Sequence, residues 1–447
     1  MEGLRRLEYR GYDSAGLAIE TADAITRLRR VGKVQELQNA LDETPVRGGT
    51  GISHTRWATH GVPNEGNAHP HLSNDSIAIV HNGIIENYQE LRDDLKEKGY
   101  EFTSETDTET VAHRIHYNLQ TADDFAAAVR TTVAELEGAY AIAVMSADHP
   151  EQVLIAREGA PAVVGIGIGE NFVASDVSAL LPVTRNFIFL EEGDVALVER
   201  TQVTIWDEDG KQVDRPVKES QLTADAADRG EFRHYMLKEI YEQSEAVART
   251  LNGRIADSRV LDAAFGPLAN DALDKAKGVH IVACGTSYHA GLVARYWIES
   301  LCKIPCSVEI ASEYRYRSPV VPPDTLFVTI SQSGETADTL AALRAAKEAG
   351  YVATLTICNV PESSMVRGSD LTMMTHAGPE IGVASTKAFT TQLAALALLT
   401  ISLARRAGLE EKQERALVAQ LSELPEMITQ VLTLDDSFEA LAKHFAD

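Results

Sequence analysis

Residues 326–343 read "LFVTISQSGETADTLAAL", and the parsing of this stretch decides the fold of the second half of the chain. The run from Thr325 to Ile330 is apolar or β-branched throughout, as in a strand buried on both faces. Residues 337–349 have helical periodicity, with Leu340 and Leu343 on one face and Gly350 as a stop. Between them lie Ser331, Gln332, Ser333, Gly334, Glu335 and Thr336, so hydroxyls, an amide and a glycine fill the handover from strand to helix.

The same alternation continues on either side. Strand-like "VHIVA" leads to a helix at 287–301, and "CSVEI" leads to a helical patch near 311–316. "VATLTIC" and "LTMMT" follow, then a long helix at about 386–406 and helix-like residues 410–446. Strands alternating with helices at this spacing predict βαβ units in an α/β, doubly wound parallel sheet. Residues 1–205 differ: many short strand-like runs, among them "SIAIVHNG", "AYAIAVM" and "AVVGIGIG", with helical patches near 85–98 and 107–119. That pattern predicts an α+β domain with antiparallel sheets. The polar, aperiodic "GKQVDRPVKESQLTADAADRG" after it is a linker.

Length and charge bound the function. At 447 residues the chain is too long for one core, and its net charge of −25 opposes binding to nucleic acid or an anionic membrane. Cys284, Cys302, Cys306 and Cys358 form no C-x-x-C pair and sit in apolar surroundings, as reduced thiols of a cytoplasmic protein do. "GxxxxGK[ST]", and "GxGxxG" after a strand, are both absent, which weakens nucleotide readings.

In doubly wound sheets, ligands bind where strand ends lead into helix N-termini, and free N–H groups make such termini anion sites. Ser331, Ser333 and Thr336 can donate to phosphate oxygens, and Gly334 permits close backbone approach. Helix capping alone would explain one such turn. Two more, "CGTSYHAG" with Thr286 and Ser287, and "GVASTKAF" with Ser385, Thr386 and Lys387, favour a phosphate or sugar-phosphate site. In the first half, Arg56 in "HTRWATHG" can pair with a carboxylate. Asn82 and Gly83 in "HNGIIEN" can form an oxyanion hole, and Asp107 in "SETDTET" can hold an ammonium group. His54, His60, His69, His71 and His81 raise a zinc site, but no cysteine, H-E-x-x-H or tight acid pairing supports one.

These motifs carry a resemblance. "CGTSYHAG", "SQSGETADTL" and "EIGVASTKAFTTQ" resemble the sugar-isomerase (SIS) domain of the glutamine–fructose-6-phosphate aminotransferase family. "LRRLEYRGYDSAGLA", "HTRWATHG", "NAHPH", "HNGIIEN" and "SETDTE" resemble the glutaminase domain of the same family, an N-terminal-nucleophile (Ntn) fold of sandwiched antiparallel sheets. The resemblance implies a truncated glutaminase domain over 1–209, a linker over 210–234, a first SIS domain over 235–425, and over 426–447 the start of a connection to a second, absent SIS domain. It implies that Thr286, Ser287, Ser331, Gln332, Ser333 and Thr336 hold the sugar phosphate, while Val383, Ala384 and Ser385 line the sugar. Arg56, Trp57, Thr59, His60 and Asp107 would bind glutamine, and Asn82 and Gly83 would stabilise the oxyanion.

The implied reaction transfers the amide nitrogen of L-glutamine to D-fructose 6-phosphate, giving D-glucosamine 6-phosphate and L-glutamate for amino-sugar synthesis. It implies no metal, nucleotide or redox cofactor, no nucleic-acid or membrane partner, and a homodimer through the SIS domains. The family's nucleophile is an N-terminal cysteine, and this chain has none before Cys284. The expectation is therefore a fragment, itself inactive, lacking a short head and a long tail. The alternatives are a non-catalytic SIS-type phosphosugar-binding protein, a sugar-amine deglycase, or an amidotransferase of the phosphoribosyl-amine type. "SQSGET" does not match the acidic diphosphate motif of the last.

Overall fold

A computed structural model describes residues 1–8, 13–21, 24–56, 61–220, 232–382 and 384–446. The chain forms two compact units, residues 1–225 and 226–447.

In the first unit the seven-stranded sheet is antiparallel, and its centre is the strand Ile77–Ile85 beside Gly138–Ser146 and His149–Glu158. Both faces are covered, and the alternation of side chains assigns each residue to one of them. Ile77, Ile79, Ile142, Val144, Leu154 and Ala156 pack on the helices Asp107–Leu119 and Phe125–Val133. Ala78, Val80, Ala143 and Met145 face the three-stranded sheet built on Ser14–Glu20, and Ile155 and Ala196 face the four-stranded sheet containing Val163–Ile166. The result is sheet on sheet, antiparallel as the strand pattern predicted and sandwiched as the family resemblance implied.

The helix expected near 85–98 runs from Tyr88 to Glu97, and the one expected at 107–119 is Asp107–Leu119. Three helices among the described residues of this unit, the short Glu2–Leu7 included, had no counterpart in that reading. Val34–Glu43 buries only Val34, Leu37 and Ala40, and Phe125–Val133 is largely alanine and β-branched residues. Within the polar stretch 210–234, Gln212–Val213 and Val217–Glu219 extend the edges of two sheets. Residues 221–231 of that stretch lie outside the described residues.

The second unit holds a parallel five-stranded sheet, in spatial order Cys306–Ile310, Gly278–Ala283, Thr325–Ser331, Ala353–Cys358, Leu371–Met374. Val279, Ile281, Leu326, Val328 and Ile330 pack on the face covered by helices Gly285–Cys302 and Lys387–Arg406. Val282 and Phe327 point to the other face, beneath Leu340, Leu343 and Ala346 of helix Ala337–Glu348. Lys387–Arg406 is long and apolar enough to cross a bilayer, but 78% of its apolar window is buried within the unit, so it serves as a core helix.

Candidate functional site

In chain order the parallel strands lie second, first, third, fourth, fifth. The order reverses between Gly278–Ala283 and Thr325–Ser331, whose following helices lie on opposite faces of the sheet. A crevice opens at such a reversal, outside the carboxyl ends of the strands. The turns that flank it are 284–287 and 331–336.

At 331–336 the side chains hold the turn open. Ser331 Oγ accepts the Gly334 N–H at 3.0 Å and lies 3.2 Å from Thr336 Oγ1, and Ser333 Oγ accepts the Glu335 N–H at 3.2 Å. The Glu335 carboxylate turns aside to accept the Ser364 N–H at 2.7 Å. Gly334 has φ +69°, and a Cβ there would lie 2.0 Å from Ser363 Oγ, so the turn requires glycine. Thr336 is the N-cap of Ala337–Glu348 and Cys284 that of Gly285–Cys302, and neither side chain caps its helix. Their leading N–H groups remain available to an anion. Ser287 is buried at the second turn, Thr286 is exposed, and Gln332 and Ser333 are half-buried.

The third turn is built differently. Glu380, buried, accepts the N–H groups of Thr386 at 2.9 Å and Ala388 at 3.0 Å, and the Ser385 hydroxyl at 3.1 Å. The anion position of helix Lys387–Arg406 is thus filled by the chain's own carboxylate. Lys387, which the sequence places at this turn, is buried against Glu242 at 2.5 Å. Ala384 is exposed, and Val383 lies outside the described residues.

In the first unit, Arg56 ends the strand Gly51–Arg56, is buried, and donates to the Gly61 carbonyl. Burial pulls its guanidinium below the ordinary value, while the Asp13 and Asp107 carboxylates act the other way. Asp107 opens helix Asp107–Leu119, with Oδ2 accepting the Ile85 N–H at 2.9 Å and Oδ1 the Thr108 N–H at 2.9 Å. Asn82 and Gly83 are exposed on Ile77–Ile85. Gly83 has φ +124°, and a Cβ would meet the Ala139 carbonyl at 2.0 Å. Trp57, Thr59 and His60 lie outside the described residues.

Four of the five histidines build a network that sequence spacing could not reveal. His54 Nε2 donates to Asn82 Oδ1 at 2.8 Å, turning the amide nitrogen of Asn82 away from the ring. The His54 and His69 rings stack at 4.5 Å, His69 and His81 both reach Thr108 Oγ1, and His71 reaches Thr106 Oγ1. Burial lowers His54 to about 4 and holds His69 and His71 well below their ordinary range, so all three are neutral at pH 7. Among the described residues no group of three or more His, Cys, Asp or Glu is arranged to hold a metal.

Residues 54–182 match the glutamine amidotransferase domain model and residues 272–402 match the SIS domain model. Over the full chain, the glutamine–fructose-6-phosphate aminotransferase (isomerizing) of Shewanella oneidensis is 59% identical, and the chain covers 73% of that relative. Those of Pseudomonas putida and Escherichia coli K12 are 58% and 56% identical, again over the whole chain, which covers 74% and 73% of them. This chain belongs to the glutamine–fructose-6-phosphate aminotransferase family. Each of the two domain matches contains one of the two residue groups described above. The residues that sequence reasoning missed are Glu239, Glu242 and Glu380, and His54, weighed there only as a metal ligand, instead pairs with Asn82. "EIGVAST" did carry a signal for Glu380: an acid six residues ahead of a hydroxyl-rich helix start.

Proposed function

We propose that this chain carries both substrate sites of an enzyme that transfers the amide nitrogen of L-glutamine to D-fructose 6-phosphate, yielding D-glucosamine 6-phosphate and L-glutamate. The reading is carried by the pair of uncapped, hydroxyl-lined turns at the strand reversal of the parallel sheet. Thr286, Ser287, Ser331, Gln332, Ser333 and Thr336 hold the phosphate there, and Ala384 and Ser385 meet the sugar, with Val383 beside them. In the first unit Arg56 takes the α-carboxylate of glutamine and Asp107 its α-ammonium, with Trp57, Thr59 and His60 completing the pocket. Asn82 Nδ2–H and the Gly83 N–H stabilise the oxyanion.

The first unit contains no cysteine, so residues 1–447 as they stand bind both substrates without turning glutamine over. The bound sugar requires no metal or nucleotide in this scheme. A homodimer through the second unit and a cytoplasmic setting complete the proposal, supported by the family resemblance and by exposed Tyr296 and Tyr316 on that unit.

Calorimetry of residues 1–447 with each substrate tests it. Binding of both glutamine and fructose 6-phosphate is expected. Fructose 6-phosphate binding without glutamine binding would favour a non-catalytic phosphosugar-binding protein, and binding of neither would end the reading.

A further inference from the structure

Three carboxylates converge on the third turn of the second unit, and the anion-site reading of that turn cannot accommodate them. Glu380 is buried, and its Oε1 accepts the N–H groups of Thr386 and Ala388, which would otherwise face an incoming anion. Glu239, also buried, accepts the N–H groups of Ile381 at 2.5 Å and Gly382 at 2.9 Å. The ammonium of Lys387 is matched by Glu242. The N–H groups of Ile381, Gly382, Thr386 and Ala388 are therefore committed, and three carboxylates face two ammoniums, Lys387 and Lys238, which share Glu242, so negative charge is in excess beneath the turn. A phosphate dianion is repelled here, whereas the turns at 284–287 and 331–336 keep uncapped helix starts.

The consequence reaches Ser385. Its hydroxyl proton is given to Glu380 Oε2 at 3.1 Å, so only its lone pairs remain for a ligand. We propose that Glu380 is a positioning residue that makes the third turn an acceptor surface, one that takes hydrogen bonds from sugar hydroxyls and excludes the phosphate. The phosphosugar thereby enters in one orientation, phosphate on the uncapped turns and hydroxyls on Ser385. This inference rests on the phosphosugar reading of the site.

Glu380→Gln tests it with little change of shape. Oε1 continues to accept from Thr386 and Ala388, but the amide NH2 replaces Oε2 and donates to Ser385, whose proton then turns outward. Calorimetry on the full chain is run with fructose 6-phosphate and with inorganic phosphate. Expected is a tenfold or larger loss of fructose 6-phosphate affinity with inorganic phosphate affinity unchanged within twofold. Ser385→Ala removes the acceptor without touching the helix cap and should show the same selective loss, with no further loss in the double variant. Should Glu380→Gln fail to fold, Ser385→Ala decides alone. Equal losses for both ligands, or no loss for the sugar phosphate, would overturn the positioning role. A wild-type chain that binds neither ligand would instead overturn the phosphosugar reading, and this inference with it.

Discussion

The Asp107 carboxylate accepts the backbone N–H of Ile85 at 2.9 Å, joining the start of helix Asp107–Leu119 to the strand that carries Asn82 and Gly83. The ammonium partner and the oxyanion donors proposed for glutamine thus belong to one rigid piece. Asp107→Ala leaves that buried N–H unsatisfied, and the first unit should lose about 1–3 kcal/mol in urea denaturation. Asp107→Asn keeps an oxygen for one donor and should lose less stability, yet it should lose glutamine affinity as fully as alanine does. Equal stability and retained glutamine binding in both variants would remove Asp107 from the site.

Gly334→Ala forces a side chain into the left-handed region and against Ser363. The second unit should lose more than about 2 kcal/mol. Adding Ser363→Gly removes the nearest obstacle and should recover part of that loss in thermal melts, leaving the φ strain and the Cys358 contact.

Ser333→Ala with Thr336→Ala removes two hydroxyls from the uncapped turn without disturbing the strand before it. Hydrogen bonds to a charged group contribute about 1.5–3 kcal/mol each, so fructose 6-phosphate affinity should fall at least tenfold. Calorimetry showing unchanged affinity would move the phosphate elsewhere.

The neutral histidines make the first unit sensitive to acid. His54, His69 and His71 have folded values far below the ordinary histidine value near 6.5, which they regain on unfolding. Below about pH 6.5 the unfolded state takes up protons that the folded state refuses, so stability falls as pH drops toward the folded value of His54, about 4. Three such groups give a slope approaching about 4 kcal/mol per pH unit. Melting of the first unit at pH 7 and pH 5 measures it, and a flat profile would mean that the imidazoles are solvated.

Thiol accessibility tests the packing of the second unit. Burial pushes Cys302 and Cys306 up to about 12 and Cys358 up to about 11, while Cys284 is half-exposed. An aromatic disulfide reagent at pH 8 should titrate one thiol quickly in the native chain and four in denaturant. More than one fast native thiol would contradict the buried core.

Legibility followed physical range. The parallel sheet was readable because strands buried on both faces are continuously apolar and each ends in its own turn, as Thr325–Ser331 does before Ala337–Glu348. Val34–Glu43 was not, since three buried residues leave only a thin stripe in a polar segment. At the sites, the hydroxyls were visible because they are local in sequence. The partners that orient them were not: Glu239 meets Gly382 across 143 residues, and His54 meets Asn82 across 28. Such pairings are decided by the folded surface, and no spacing rule encodes them.

The buried contact between Lys387 and Glu242 also bears on how this sequence can change. The lysine side chain is 3% exposed, and its carboxylate partner, 145 residues away, also lies 3.4 Å from Lys238. Replacing Glu242 alone strands the Lys387 ammonium in the interior at a cost of about 3–5 kcal/mol, whereas replacing Lys387 leaves a carboxylate that is 27% exposed and still paired with Lys238. Single-step routes that begin at Glu242 therefore pass through a poorly folding intermediate. The dependence runs one way, and Glu242 should be free to drift only once Lys387 has gone.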